Sequence, residues 1–212
     1  GTSWGAGDIM YADLDGDGKI SNGTNKLGDT GDYRIIGNST PRLKYGLTLD
    51  AAWKGFDFSI FMQGIGKRDL WLDGCYFWGA NGQGNEWQST GFTEHWDFFR
   101  PEGDPLGANL DAYYPRVNFS GGRNTQVQTR YLQNGAYLRL KNVQLGYTLP
   151  RVWTEKAGIS SVRVYLSGDN LATITSLSKI FDPEATGSLA GTGSGKLYPL
   201  QRVISVGVNI NF

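Results

Sequence analysis

Apolar and polar residues alternate with period two over five stretches of the chain, and this alternation predicts five β-strands. In the first, 42–53, Leu43, Tyr45, Leu47, Leu49, Ala51 and Trp53 share one side, and Lys44, Gly46, Thr48, Asp50 and Ala52 share the other. Lys54 and Gly55 make a tight turn, after which Phe56, Phe58, Ile60 and Met62 alternate with Asp57, Ser59, Phe61 and Gln63. The third stretch, 136–149, slips phase. Leu138 and Leu140 oppose Arg139 and Lys141, whereas beyond Asn142 the apolar positions are Val143, Leu145, Tyr147 and Leu149. One β-bulge near Lys141–Asn142 restores a common face. Pro150 stops this strand, and 151–160 reads as a helical turn ending at Gly158. Strands at 162–171 and 202–212 complete the set, the last with Ile204, Val206, Val208, Ile210 and Phe212 opposite Ser205, Gly207, Asn209 and Asn211.

The connections alternate in length. Short ones lie at 54–55 and 150–160, and long ones at 67–130 and 173–200. Tight turns on one side and long loops on the other are the connection pattern of an outer-membrane β-barrel, and Tyr and Trp near strand ends suit its interfacial girdles. In that frame 1–41, 67–130 and 173–200 are extracellular, and the C-terminus lies at the periplasmic side. Five strands cannot close a membrane barrel, whose minimum is about eight, and open edges are not tolerated in lipid. The expected architecture is therefore all-β: residues 42–212 form about five C-terminal antiparallel strands of a larger transmembrane β-barrel with long extracellular loops.

Composition narrows the function. Lys and Arg number 20 and Asp and Glu 20, a formal net charge of zero, which argues against a nucleic-acid surface. The single Cys excludes an internal disulfide or Cys-based zinc site, and the single His excludes paired-His metal motifs. Gly (31 residues) together with 7 Trp, 11 Tyr and 10 Phe fits turn-rich β-structure. No run of 18 apolar residues is present, so no transmembrane helix is predicted, which leaves membrane strands open.

Several motifs resemble the SusC/RagA family of TonB-linked outer-membrane transporters of Bacteroidota. They are Asp13-Leu-Asp-Gly-Asp-Gly-Lys-Ile20, Ile35-Ile-Gly-Asn-Ser-Thr-Pro41, Tyr45-Gly-Leu47, Lys54-Gly-Phe-Asp57 and Phe61-Met-Gln-Gly64. Further along stand Gly135-Ala-Tyr-Leu-Arg-Leu-Lys-Asn-Val-Gln-Leu-Gly-Tyr-Thr-Leu-Pro150, Val164-Tyr-Leu-Ser-Gly-Asp-Asn-Leu171, Tyr198-Pro-Leu-Gln-Arg202 and Phe212. The resemblance runs over most of the chain and covers only the last part of the family's architecture. It implies a 22-stranded barrel with an N-terminal plug, a SusD-like surface lipoprotein as lid, TonB as energy source, and an oligosaccharide or peptide as cargo. It also implies that Phe212 is a terminal signal for barrel assembly. A passive porin and a secreted β-sandwich that binds carbohydrate are the rival readings. No enzyme is expected, because no pair of catalytic carboxylates or nucleophile motif stands out.

Two clusters carry candidate chemistry. Asp13, Asp15, Asp17 and Gly18 match positions 1, 3, 5 and 6 of an EF-hand-type loop, with the Lys19 carbonyl and Ser21 following. The residue at position 12 is Thr24 rather than an acid, and Asp29 or Asp32 is the available substitute. The set suits a structural Ca2+ or Mg2+, or a turn held by Asx hydrogen bonds alone. In the loop 67–130, Trp71, Tyr76, Trp78, Trp87, Trp96 and Tyr113 are the candidate substrate contacts, interleaved with Asn81, Gln83, Asn85, Glu86 and Gln88. Aromatic faces stack on sugar rings and amides bond their hydroxyls; alternatively these rings pack the loop on itself and against the lid. Glu94, His95 and Asp97 read as a surface cluster rather than as acid–base machinery, Cys75 as a free loop thiol, and 186–196 as a flexible glycine-rich loop.

Overall fold

The structure, a computed structural model, describes residues 3–82, 91–119, 122–186 and 197–212. The strands are β1 (Leu43–Trp53), β2 (Phe56–Lys67), β3 (Asp69–Leu70), β4 (Gln133–Asn134), β5 (Tyr137–Thr148), β6 (Ser161–Thr175) and β7 (Val203–Asn211). Five of them form one antiparallel sheet in the order β1-β2-β5-β6-β7, so sheet order follows chain order. This is a meander, the topology that short turns alternating with long returns produce. The two-residue pair β3–β4, too short to leave a periodic signal, is an addition to the expected five strands. Two short helical segments, α1 (Cys75–Trp78) and α2 (Arg151–Thr154), complete the named elements.

Register places like with like. The row Leu49, Ile60, Val143, Gly168 and Ile204 runs across all five strands, and so does Ala51, Phe58, Leu145, Leu166 and Val206. One face is therefore apolar from edge to edge, and its large side chains stand exposed. The opposite face carries Thr48, Asp50, Asp57, Gln63, Arg139, Asn142, Gln144, Arg163, Asp169 and Asn209. The expected bulge is present. Phe61 pairs with Asn142 and Met62 with Leu140, so Lys141 is the extra residue. On the β6 side, Asn170 and Leu171 oppose this same bulge, and Asn170 takes φ 52° to do so.

Three ion pairs stand on the polar face. Arg163 Nε donates to Asp57 Oδ1 at 2.9 Å, and Nη2 donates to Asp57 Oδ2 and to Gln144 Oε1. This fork spans from β6 to β2 over Gly146 of β5, where a Cβ would stand 2.5 Å from both the guanidinium and the carboxylate. Glycine is needed there so that the two charges can meet across the intervening strand. Arg139 bonds Asp182 at 2.7 Å, and Lys141 bonds Glu184 at 2.9 Å. These contacts tie the segment after β6 back to the polar face, with Leu177 and Phe181 buried in the same unit.

The chain divides into two compact units. The sheet unit comprises 38–70, 133–186 and 197–212. The second unit, among described residues, comprises 3–37, 71–82, 91–119 and 122–132. It has its own core of Leu72, Phe77, Trp78, Ala112, Tyr114 and Tyr131. The described part of 71–130 thus belongs to a folded unit with its own core. No described helix is long and apolar enough to cross a membrane.

Candidate functional site

The candidate site residues lie in the second unit, and its aromatic core decides which of them face outward. Trp78 is buried, with its ring centroid 4.8 Å from that of Tyr131 and 5.1 Å from that of Phe77. Its Nε1 donates to the Leu72 carbonyl at 3.2 Å. Trp78 is therefore a core residue, and its place among the expected substrate contacts is corrected: its ring and its one donor are both occupied within the fold. Trp71 is half-buried, its centroid 5.8 Å from that of Trp78, and Tyr76 is half-buried against Phe92. Trp96 is 60% exposed and Tyr113 is 38% exposed, so these two keep a surface for a ligand. Trp87, with Gln83, Asn85, Glu86 and Gln88, lies outside the described residues, as does 187–196.

Trp96 is held by its neighbours. It ends a 3-10 turn, Thr93–Trp96. Its carbonyl accepts from Arg100 Nη1 at 2.9 Å, and the Arg100 guanidinium lies 4.8 Å from the Phe98 ring and 5.6 Å from the Trp96 ring. Asp97, the next residue, accepts from Asn109 Nδ2 at 2.9 Å and from the Tyr113 amide at 3.2 Å. Asp97 therefore links the two exposed aromatics through backbone and carboxylate.

His95 braces the same turn. Its Nδ1 accepts the Phe92 amide at 3.0 Å, and its Nε2 lies 3.1 Å from the Phe77 carbonyl, which fixes the tautomer with the proton on Nε2. Burial pushes its pKa below the ordinary histidine value, although hydrogen bonds to the Phe77 and Tyr76 backbones and the charge of Glu94 act the other way. The unfolded chain thus takes up this proton at higher pH than the folded one, so stability falls as pH drops through the unfolded value of about 6.5 toward the folded value. The expected result is a loss of amide protection at 92–96 between pH 7 and pH 5. Exchange measurements corrected for intrinsic rates check it, and a His95→Gln variant should lose the pH dependence.

The N-terminal part of this unit is fastened by a buried carboxylate. Asp8, with its side chain 2% exposed, accepts from Arg116 Nε at 2.8 Å, Arg116 Nη2 at 2.6 Å and Asn124 Nδ2 at 2.9 Å. Burial alone would raise its pKa; the bonds from Arg116, Asn124 and the Gly5 amide outweigh burial and hold it below the usual carboxylate range. Neither the spacing of Asp8 nor its local sequence announces this role, because its side-chain partners lie more than 100 residues away.

The acidic turn folds as a chain of Asx bonds. Asp13 accepts the Gly16 amide at 2.6 Å and the Gly18 amide at 2.8 Å, with both glycines near φ 80°. Asp15 accepts from the Asp17 amide and Asp17 from the Lys19 amide. Asp32 closes the loop by accepting from Leu14 at 2.6 Å and Ser21 at 2.7 Å. Oxygens of Asp13, Asp15 and Asp32 lie within 4.8 Å of one another. Asp32, rather than Thr24 or Asp29, therefore supplies the late carboxylate. Asp17 is outside this three-carboxylate group, and Asp29 is engaged with the Thr24 amide and hydroxyl. Cys75 is a free, half-buried thiol at the start of α1, and Phe212 follows β7, exposed.

A meander that is apolar on one face and polar on the other is the class of sheet that a membrane β-barrel wall requires. No family model matches the chain. It is 32% identical over 216 residues to TonB-dependent receptor P3 of Formosa agariphila, covering 97% of this chain and 19% of that protein. To TonB-dependent receptor P26 of the same organism it is 29% identical, with 97% and 20% covered. The RagAB peptide importer in its open-open state matches with TM-score 0.65 and 28% identity, over 88% of this chain and 19% of that one. The closed-closed state matches with TM-score 0.63. The chain is a SusC/RagA-like portion of a TonB-dependent outer-membrane receptor, and it spans about one fifth of the length of these relatives.

Proposed function

We propose that this stretch supplies wall strands and extracellular loops of a SusC-like, TonB-dependent outer-membrane importer of oligosaccharides or peptides. In this reading the apolar face meets lipid, the polar face lines the barrel toward an N-terminal plug, and the C-terminus lies on the periplasmic side. A SusD-like lipoprotein covers the loops, and TonB acts through the part of the receptor outside this chain. The observation that carries the reading is the apolar face, unbroken over five strands and exposed, set against a face that carries the charged and amide side chains, Arg163 and Asp57 paired among them. Burial of that face in hydrocarbon costs nothing only if no charge lies on it, and among its described residues none does.

Trp96 and Tyr113 are the proposed substrate contacts in this chain, with stacking on a sugar ring or an apolar peptide side chain as their role. Isolation of the receptor from native outer membrane in mild detergent should bring a plug-bearing barrel and a surface lipoprotein together. In that complex Trp96→Ala should weaken substrate binding by about 1 kcal/mol, the scale of one aromatic contact, as read by calorimetry with oligosaccharide and peptide mixtures in turn. Recovery of a barrel without a plug points to a passive porin, and a water-soluble lone chain to a secreted carbohydrate-binding module. The carboxylates of Asp13, Asp15 and Asp32 are proposed to take a structural Ca2+ or Mg2+, with the Lys19 carbonyl and Ser21 as the further ligands the loop spacing offers; hard oxygens on a tight glycine turn suit such a cation. No catalytic step belongs to this reading.

A further inference from the structure

The turn between β5 and β6 presents two large apolar side chains that nothing in the sheet unit covers. Val152 is 71% exposed and Trp153 is 67% exposed. The turn itself is well closed. The Trp153 amide donates to the Pro150 carbonyl at 2.9 Å, and the Thr154 hydroxyl, in a buried residue, donates to Arg151 at 3.2 Å. Gly158, at φ 71°, ends the turn, with its amide on the Glu155 carbonyl and the Ile159 amide on the Thr154 carbonyl. The turn thus folds its polar threonine inward and its valine and tryptophan outward. Water-facing turns are built from Gly, Asn, Asp and Ser, so this inversion calls for an apolar neighbour.

The same end of the sheet shows what that neighbour is. β1 ends at Trp53, β2 begins at Phe56 and β5 ends beside Tyr147, all three on or next to the apolar face. Phe56 and Tyr147 rings lie 4.5 Å apart, and Lys54 Nζ sits 4.9 Å from the Trp53 ring centre. Aromatic rings beside cations mark the zone where acyl chains give way to headgroups. Arg151, paired with Glu155 at 2.7 Å, and Lys156 bring the same combination to the turn. A protein partner is the weaker fit, since a specific interface needs about 800 Å² on each side and two side chains on a four-residue helical turn fall far short of that.

We propose that the turn carrying α2 is a lipid anchor, which seats Val152 and Trp153 in the headgroup zone of the leaflet at this end of the barrel and leaves Lys156 in water. The inference rests on the barrel-wall reading above. The test uses the whole receptor in phospholipid vesicles, in a cysteine-free background, with a spin label at Val152→Cys, Lys156→Cys or Leu145→Cys. Collision with oxygen reports lipid, and collision with a water-soluble nickel chelate reports water. The expected order of the oxygen-to-nickel ratio is Leu145 above Val152, and Val152 above Lys156. If Leu145 favours oxygen while Val152 matches Lys156, the anchor is wrong and the wall reading stands. A Val152 label shielded from both reagents marks a protein contact and also overturns the anchor. If Leu145 itself favours nickel, the wall reading fails and the anchor fails with it.

Discussion

Leu49→Arg should cost the folded receptor about 2–4 kcal/mol, the penalty for a cation near the middle of a lipid-facing strand. Leu49 lies mid-way along β1, and its cross-sheet row is Ile60, Val143, Gly168 and Ile204. Nothing in that row can accept a hydrogen bond from a guanidinium. The neighbouring Thr48→Arg is the matched control. Its row holds Phe61, Asn142 and Asp169, on the polar face, and Asp50 stands two residues along on the same side of β1, so a cation there has a carboxylate near it. Its cost should stay within about 0.5 kcal/mol, the range of ordinary surface substitutions. Urea unfolding of the whole receptor in vesicles measures both. Equal costs for the two variants would falsify the assignment of the apolar face to lipid.

Arg139→Ala is expected to be the most damaging change on the opposite face, at about 3–5 kcal/mol, because it strips a buried ion-pair network of its centre. Arg139 Nη2 bonds Asp182 at 2.7 Å, Nε bonds the Thr173 hydroxyl at 2.8 Å, and Nη1 lies 3.4 Å from Glu184. Arg139 and Asp182 side chains are both nearly inaccessible to water. Without the guanidinium, Lys141 is left to answer Glu184, and Asp182 keeps only the amides of Glu184 and Leu200. The loss should be local: exchange protection and protease resistance fall over 176–186, while the sheet holds. The acid dependence has a definite sign. Burial would raise the Asp182 pKa, but the bonds from Arg139 and the two amides outweigh it and hold the folded value below 3.8. The stability it contributes is present above the unfolded value and is lost as pH falls through the folded one. A lack of acid sensitivity in this segment would argue against the network.

The strands are readable because period-two alternation is a local signal and the two faces carry side chains of opposite polarity. The bulge was readable for the same reason: a phase slip at Lys141–Asn142 has one simple remedy, and register shows it at that residue. The turn at 151–158 announced itself through Pro150 and Gly158. The second unit was less legible, since its order comes from long-range contacts. Trp78 and Trp96 look alike in the sequence, yet one packs between Phe77 and Tyr131 and the other stands in the open, and no spacing distinguishes them. The sequence offers Asp29 and Asp32 alike for the acidic turn, and only the fold brings Asp32 to it; Asp8 finds its arginine across 108 positions. Such pairings are set by how the chain returns on itself, which no short window records.

The bulge has a consequence for how this strand can change over time. Above Lys141 the residues on the polar face, Tyr137 and Arg139, carry odd numbers; below it Asn142, Gln144, Gly146 and Thr148 carry even ones. The two halves are out of step in the count and in step in space. Removal of Lys141 would restore simple alternation with every other side chain still on its own side, whereas the loss of any other single residue would invert everything beyond it unless the bulge were lost as well. Gain or loss of one residue is therefore tolerable in β5 at one place, and that place is already marked by a lysine.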